Sequence, residues 1–384
     1  ITHRRKSLME IIITPKEEIS KFFREKGMDF LKKTTEKRME EIILMSSVKG
    51  NSGKTSDYAE SGKGHRTTYG YFLSKSKWDE EEVSKRNKNK IIEEIFKKAE
   101  ESGEIIYIKV DDTISKKKPP SSKAEKPTEK TGWHYSHLDK KTVFGHQLHT
   151  VMISCGNLSL CYSMKRYDKE KCSKIDMTIN IINELPDVRN TKYKCYALLD
   201  SWYTSARIIN SFKEKGYEIS GAVKINRVIY PNGKPVSISN FAANIPICDF
   251  RLVTVNNKEY YTYKYTGKLN NICQAVVIIS YPKDKIGFEK ALKAFISTDM
   301  SSTVDEILNH YSKRWEIEVF FKQMKKFFGL DKFMIRSVKA IDRFFVILSL
   351  AHFFYVTGLG SVLSFSDGVR KLRSLFSPSL FLLF

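Results

Sequence analysis

Two short apolar runs, IIYIKV and CYALL, each end in an acid followed by small polar residues: Asp112 in IIYIKVDDT and Asp200 in YALLDSWYTS. Runs of this length, rich in β-formers and bounded by polar residues, read as buried strands. In an α/β sheet, ligands bind at the rim beyond the carboxyl ends of such strands. The pair therefore commits the chain to a sheet that presents two carboxylates at its rim.

A third acid lies downstream in YSKRWEIEVFFKQMKKFFGL, where Tyr311, Arg314, Glu318 and Lys325 follow the spacing Y-x2-R-x3-E-x6-K. At about 100° per residue these positions fall within an arc of roughly 60°. One helix edge then carries a carboxylate flanked by two cations and a phenol. A carboxylate can hold a divalent metal, and cations can hold phosphate oxygens. A charged helix edge alone reads as a solvated face, but with the two strand-end acids it points to a two-metal phosphoryl-transfer site. The rival Glu316 sits roughly 160° around the wheel and is expected to face elsewhere.

The chain has 384 residues and a formal charge of +22. That length allows two or three domains with their own cores. So basic a chain suits a polyanionic partner, nucleic acid above all. Its six cysteines contain no C-x2-C pair, and several sit within apparent strands, which suits small buried hydrophobes of a reducing compartment. No secretory leader is visible. Phe344–Phe365 is long and apolar enough to cross a bilayer, yet its glycines and polar residues favour a helix buried in a core.

Residues 1–103 read as helical, with charge-rich amphipathic runs and a polar break at 49–66; Arg66, Lys75 and Lys77 among aromatics suit DNA contact. GNSGKT lacks the spacing and the preceding strand of a phosphate loop. From 104 to 225 the order is strand (105–112), a lysine-rich loop, strands at about 143–154 and 157–166, helix (174–185), strand (194–200), helix (203–215) and strand (217–225). This is the order of an RNase H-like α/β sheet. Residues 226–300 read as a β-rich insertion, 301–345 as the second part of the sheet domain, with a helix bearing Glu318 that begins near 303 and is capped by Ser302 or Thr303, and 346–384 as a C-terminal helical segment. Trp202 reads as packing or as a base-stacking ring. The pairs His134/His137 and His146/His149 lack zinc-finger spacing and read as packing or DNA contacts.

DDT at 111–113, DSWYTS at 200–205 and the Y-R-E-K helix, in that order with a β-rich stretch before the glutamate, resemble the DDE transposases of bacterial insertion sequences, in particular the IS-four-like group. The resemblance implies that Asp112, Asp200 and Glu318 are catalytic and ligate two Mg2+ ions, with Mn2+ able to substitute. Of the adjacent acids Asp111 and Asp112, the one preceding Thr113 matches the family position. Tyr311, Arg314 and Lys325 would bind phosphates of double-stranded DNA. The resemblance further implies a homodimer on DNA, acting in the cytoplasm at the nucleoid and away from membranes. The missing initiator Met and the ending FSPSLFLLF raise a second expectation: an inactive remnant that binds DNA without cutting it.

Overall fold

The computed structural model describes residues 16–49, 53–60, 64–136, 139–359 and 362–374. The first fifteen residues, the GNS of GNSGKT, His137, Gly360 and the FSPSLFLLF tail lie outside the described residues. Helical residues 16–25 (α1), Lys33–Lys49 (α2), Thr55–Ala59 (α3), Arg66–Ser74 (α4) and Glu80–Ser102 (α5) precede the strands Ile106–Lys116 (β1), Gly132–Ser136 (β2), Lys141–Cys155 (β3) and Leu158–Arg166 (β4). Next come Lys174–Glu184 (α6), Cys195–Leu199 (β5), Ala206–Glu214 (α7), Glu218–Val223 (β6), Val228–Ile229 (β7), Val236–Ser237 (β8) and Ile238–Ala243 (α8). Arg251–Val255 (β9), Lys258–Leu269 (β10), Ile272–Pro282 (β11), Lys293–Ser297 (β12), Val304–Ser312 (α9), Trp315–Phe328 (α10), Val338–Thr357 (α11) and Phe365–Ser374 (α12) complete the order. Two compact units emerge: described residues of 1–101, 112–168 and 318–384 form the first, and 102–111 with 169–317 form the second.

The second unit is a mixed sheet with helices. The start of β1 pairs in parallel with β5, and β5 with β6, in the register Ile108↔Ala197 and Leu198↔Ser220. Every residue of β5 is buried, as befits a parallel strand covered on both faces, and this is why CYALL reads as an unbroken apolar run. Antiparallel pairings carry the sheet on from β6 to β12, β11, β10, β7 and β8, with β9 also on β10. Gly221 on β6 lies close to the end of β5: a Cβ there would stand 2.9 Å from the Leu199 carbonyl and 2.8 Å from Thr204 Cγ2. The helices start on hydroxyl caps, Ser173 for α6 and Ser205 for α7. Thr303 caps α9 in a capping box with Glu306, and Ile307 of that helix packs on Val276 and Ile278.

The helix expected to run unbroken from 303 is two helices. α9 ends at Ser312 and α10 begins at Trp315. Between them the Arg314 N–H donates to the Tyr311 carbonyl (3.0 Å) and the Ile317 N–H to the Arg314 carbonyl (3.1 Å), bonds of the tighter 3₁₀ type. The wheel argument therefore holds within α10 alone, where Glu318 and Lys325 are seven residues apart.

The first unit gathers the N-terminal helices with β2–β4, α11 and α12. β2 pairs antiparallel with β3, and β3 with β4. β3 also lies beside the end of β1: Lys117 N–H donates to the Phe144 carbonyl (2.8 Å). Gly145 permits this approach, because a Cβ there would meet the Ser115 carbonyl at 2.2 Å. Among the described residues α11 is the one helix long and apolar enough to cross a membrane, and 83% of its apolar window is buried within the protein. It packs on β4, α4, α2 and α12. Its Arg343, 1% exposed, pairs with Glu80 (2.9 Å) and donates to the carbonyls of Ser76 (2.8 Å) and Trp78 (2.6 Å), tying the α4–α5 connection to the core helix.

Candidate active site

In the second unit, Asp111 and Asp200 each follow the last paired positions of β1 and β5, Val110↔Leu199. The Asp200 carboxylate is fixed by its own turn, since the backbone N–H groups of Trp202 and Tyr203 both donate to Oδ1 at 2.9 Å. An Asp binding the backbone two and three residues on is an Asx-type turn.

Asp111 Oδ2 accepts from Arg314 Nη1 at 2.8 Å, in a pair only 18% and 14% exposed. Burial pushes the Tyr311 phenol above its ordinary pKa; Arg314 opposes this through charge and a hydrogen bond, and the charges of Asp200 and Asp111 reinforce it. Tyr311, Arg314, Asp111 and Asp200 thus form one electrostatic cluster. Tyr311 also packs against Phe295 (4.9 Å between centroids) and lines a cavity of about 1000 Å³ with Lys258, Tyr260 and Lys293.

Beside it, the fully buried Lys109 donates to Glu316 at 2.8 Å. Burial pulls the Lys109 ammonium down from its usual pKa and the Glu316 carboxylate pulls it back up. Glu316 is thus engaged by β1, at a position two residues from Asp111, which takes Arg314.

In the first unit, Asp112 Oδ1 accepts from Gln147 Nε2 on β3 at 2.5 Å. Lys325 donates from Nζ to Thr113 Oγ1 at 2.9 Å. Burial lowers the Lys325 pKa, with Lys116 adding to the effect and Asp331 and Asp139 opposing it. Glu318 is half-buried on α10. Its neighbours Phe320, Phe321, Met324 and Phe328 fill the core.

Asp112 and Glu318 therefore belong to the first unit and Asp200 to the second. Among the described residues no three Asp, Glu, His or Cys side chains gather into a cluster able to hold a metal ion. Sequence reasoning missed Lys109, Asp111 and Gln147 as partners. The one available signal was a lysine inside an otherwise apolar run.

The remaining candidates have structural surroundings. Trp202 is 38% exposed, with its ring 4.8 Å from Tyr203 and Lys174 Nζ 4.0 Å from its centroid. His146 bonds the Glu129 carbonyl (2.9 Å) and stacks on Phe333, and burial lowers its pKa to about 4.

A mixed α/β fold with acids at the carboxyl ends of adjacent parallel strands, one of them bonded to an arginine, belongs to the class of α/β proteins that carry their functional groups at the sheet rim. Residues 103–354 match the family model described as the transposase DDE domain, and the chain belongs to that family. No match is found among curated proteins.

Proposed function

We propose that the chain is an insertion-sequence transposase of the IS-four-like, Y-R-E-K group. It would bind the terminal inverted repeats of its own element on double-stranded DNA, cut there and join the ends to a target. The observation that carries this reading is the cluster of Asp111, Asp200, Tyr311 and Arg314 beyond the paired ends of β1 and β5, with Arg314 bonded to Asp111 at 2.8 Å. The +22 charge supports a DNA partner. Two ends must be brought together, so the working form is a homodimer on DNA, acting in the cytoplasm at the nucleoid.

Asp112, Asp200 and Glu318 would hold the divalent metal. Their carboxylate oxygens are hard donors that suit Mg2+ or Mn2+, and the turn that locks Asp200 Oδ1 gives that carboxylate a fixed aim. Two bound ions would supply activation of the attacking oxygen and stabilisation of the leaving one. Arg314 and Lys325 would hold phosphate oxygens and spread the developing charge, with the Tyr311 hydroxyl as a further donor.

The test is cleavage of a duplex carrying the inverted repeat that bounds the gene. Mg2+- or Mn2+-dependent cutting is expected, lost in Asp200→Asn while DNA binding remains. Binding with no cutting under any divalent metal would make the chain a remnant, and equal cutting by Asp200→Asn would remove Asp200 from the site.

A further inference from the structure

The hairpin of β2 and β3, in the first unit, leaves two large rings open to solvent. Trp133 is 62% exposed and Tyr135 56%. Residues two apart on a strand share a face, and across the ladder this pair stands opposite Phe144 and Thr142. Phe144 meets the Trp133 ring in a T-shaped contact at 5.4 Å, which steadies the indole without covering it. β2 ends the strand order, so the two rings stand at a sheet edge. Single exposed rings are common, but two side by side on one face mark an interaction surface.

The charge around the rings narrows what that surface can take. Residues 116–141 hold eight lysines against three acids. Two of those acids are engaged: Glu129 accepts the Val338 N–H at the start of α11 (2.7 Å), and Asp139 pairs with Lys116 (2.7 Å). Asp139 also feels the charge of Lys141, while Lys325 on α10 has Lys116 and Asp139 among its electrostatic neighbours. All of these residues belong to the first unit. A row of cations therefore leads from Lys325, read above as a phosphate ligand, to the strands that carry Trp133 and Tyr135. So many like charges oppose pairing of this edge with a second copy of itself. A polyanion with open aromatic faces fits instead. Duplex DNA keeps its bases stacked inside, whereas an unpaired strand presents them.

We propose that Trp133 and Tyr135 form a stacking platform for unpaired bases of a DNA strand whose phosphates lie on Lys116, Lys141 and Lys325. This rests on the reading of the chain as a DNA-binding protein and of Lys325 as a phosphate ligand, and it adds single-stranded DNA to the ligands. Every base has a π-face, so the platform takes a strand without regard to sequence. It gives the protein a hold on opened DNA that its cations do not supply, since phosphates attract them on duplex and single strand alike.

The experiment measures binding of the full chain, in EDTA, to a labelled oligothymidylate of about 20 nucleotides and to a duplex of the same length and unrelated sequence. Trp133→Ala/Tyr135→Ala should raise Kd for the single strand about tenfold or more and for the duplex less than about twofold. The slope of log affinity against log salt should not change, because stacking releases no counterions. Tyr135→Ala alone, which leaves the Trp133–Phe144 contact in place, should show a smaller loss with the same selectivity. Trp133→Phe/Tyr135→Phe, which keeps two rings, should stay within about threefold of wild type. Lys141→Gln should flatten the single-strand slope by about 0.7, the mark of one lost phosphate contact; an unchanged slope would overturn the part assigned to that lysine. Equal losses on both ligands would overturn the platform in favour of a surface that tracks phosphates only. No loss on the single strand would overturn it while leaving the transposase reading intact. A DNA-free dimer of the wild type that Trp133→Ala/Tyr135→Ala dissociates in sedimentation would make the edge an interface between copies instead. If the wild-type chain binds neither ligand, the DNA reading itself fails and takes the platform with it.

Discussion

Lys325 Nζ donates to Thr113 Oγ1 at 2.9 Å, linking the end of α10 to a residue two places beyond Asp111 on β1. The ammonium is half-buried and shares its surroundings with Lys116, Asp139 and Asp331. A buried amine held by one neutral hydroxyl is poised for a stronger, charged acceptor such as a phosphate oxygen. Lys325→Ala is therefore expected to raise Kd for the end duplex about tenfold, the scale of one charge-assisted hydrogen bond, and to flatten its salt dependence by about one. Thr113→Val should leave that slope intact. A Lys325→Ala variant with reduced melting temperature but unaltered DNA affinity would make the lysine a packing residue only.

Gly145 sits where β3 passes the end of β1. A methyl group there would stand 2.2 Å from the Ser115 carbonyl and 3.0 Å from the Lys116 Cα, both backbone atoms with little room to yield. The strands would have to separate next to the Asp112–Gln147 hydrogen bond. Gly145→Ala is expected to destabilise the protein by about 1–3 kcal/mol, the scale of overpacking a core position, read from chemical denaturation. Wild-type stability in this variant would mean that the strand edges move apart freely.

The sheet was legible in the sequence where strands are buried on both faces. CYALL and IIYIKV carry no polar interruption that would blur the reading, apart from Lys109, whose partner Glu316 lies 207 residues away and leaves no local mark. The far end of β1 was not legible. Apart from Ile114, residues 111–116 are polar, and they extend the strand through tertiary contacts such as the Ser115 hydroxyl donating to the Leu330 carbonyl (2.8 Å). The break between α9 and α10 was hidden for a different reason. Apolar spacing continues through the turn at Lys313–Arg314, and neither glycine nor proline marks it. At the site, Asp200 and its turn could be read from DSWYTS, whereas the bond from Asp111 to Arg314 could not, because adjacent acids on a strand look alike until their faces are known.

Arg343 is the largest fully buried side chain of the protein's described residues. It lies in the otherwise apolar helix α11, bonded to Glu80 and to the carbonyls of Leu73 (3.3 Å), Ser76 (2.8 Å) and Trp78 (2.6 Å). The guanidinium also stacks over the Trp78 ring at 4.4 Å. Shortening it leaves several buried carbonyls without a donor and Glu80 without its counterion. Arg343→Met is expected to cost about 3–5 kcal/mol, seen as a large fall in melting temperature. A loss below about 1 kcal/mol would show that water replaces the arginine at no penalty.

Two histidines should make the fold acid-sensitive. Burial lowers the pKa of His146 to about 4 and that of His352 to about 3. His352 Nδ1 accepts the Cys161 N–H at 3.3 Å, a bond that requires an unprotonated nitrogen, and its ring lies between Phe365 (5.0 Å) and Phe320 (4.9 Å). In the unfolded chain both rings titrate near 6.5. Between about 4 and 6.5 the unfolded state therefore binds more protons than the folded one, and stability is lost as pH falls through that window. Each ring contributes on the order of 3 kcal/mol once the pH nears the folded value. Denaturation midpoints measured from pH 7.5 to 4.5 should fall steadily, and His352→Phe, which cannot take up a proton, should show a shallower fall from a lower starting point because the Cys161 N–H loses its acceptor. A pH profile of the same steepness in His352→Phe would assign the acid sensitivity to other groups.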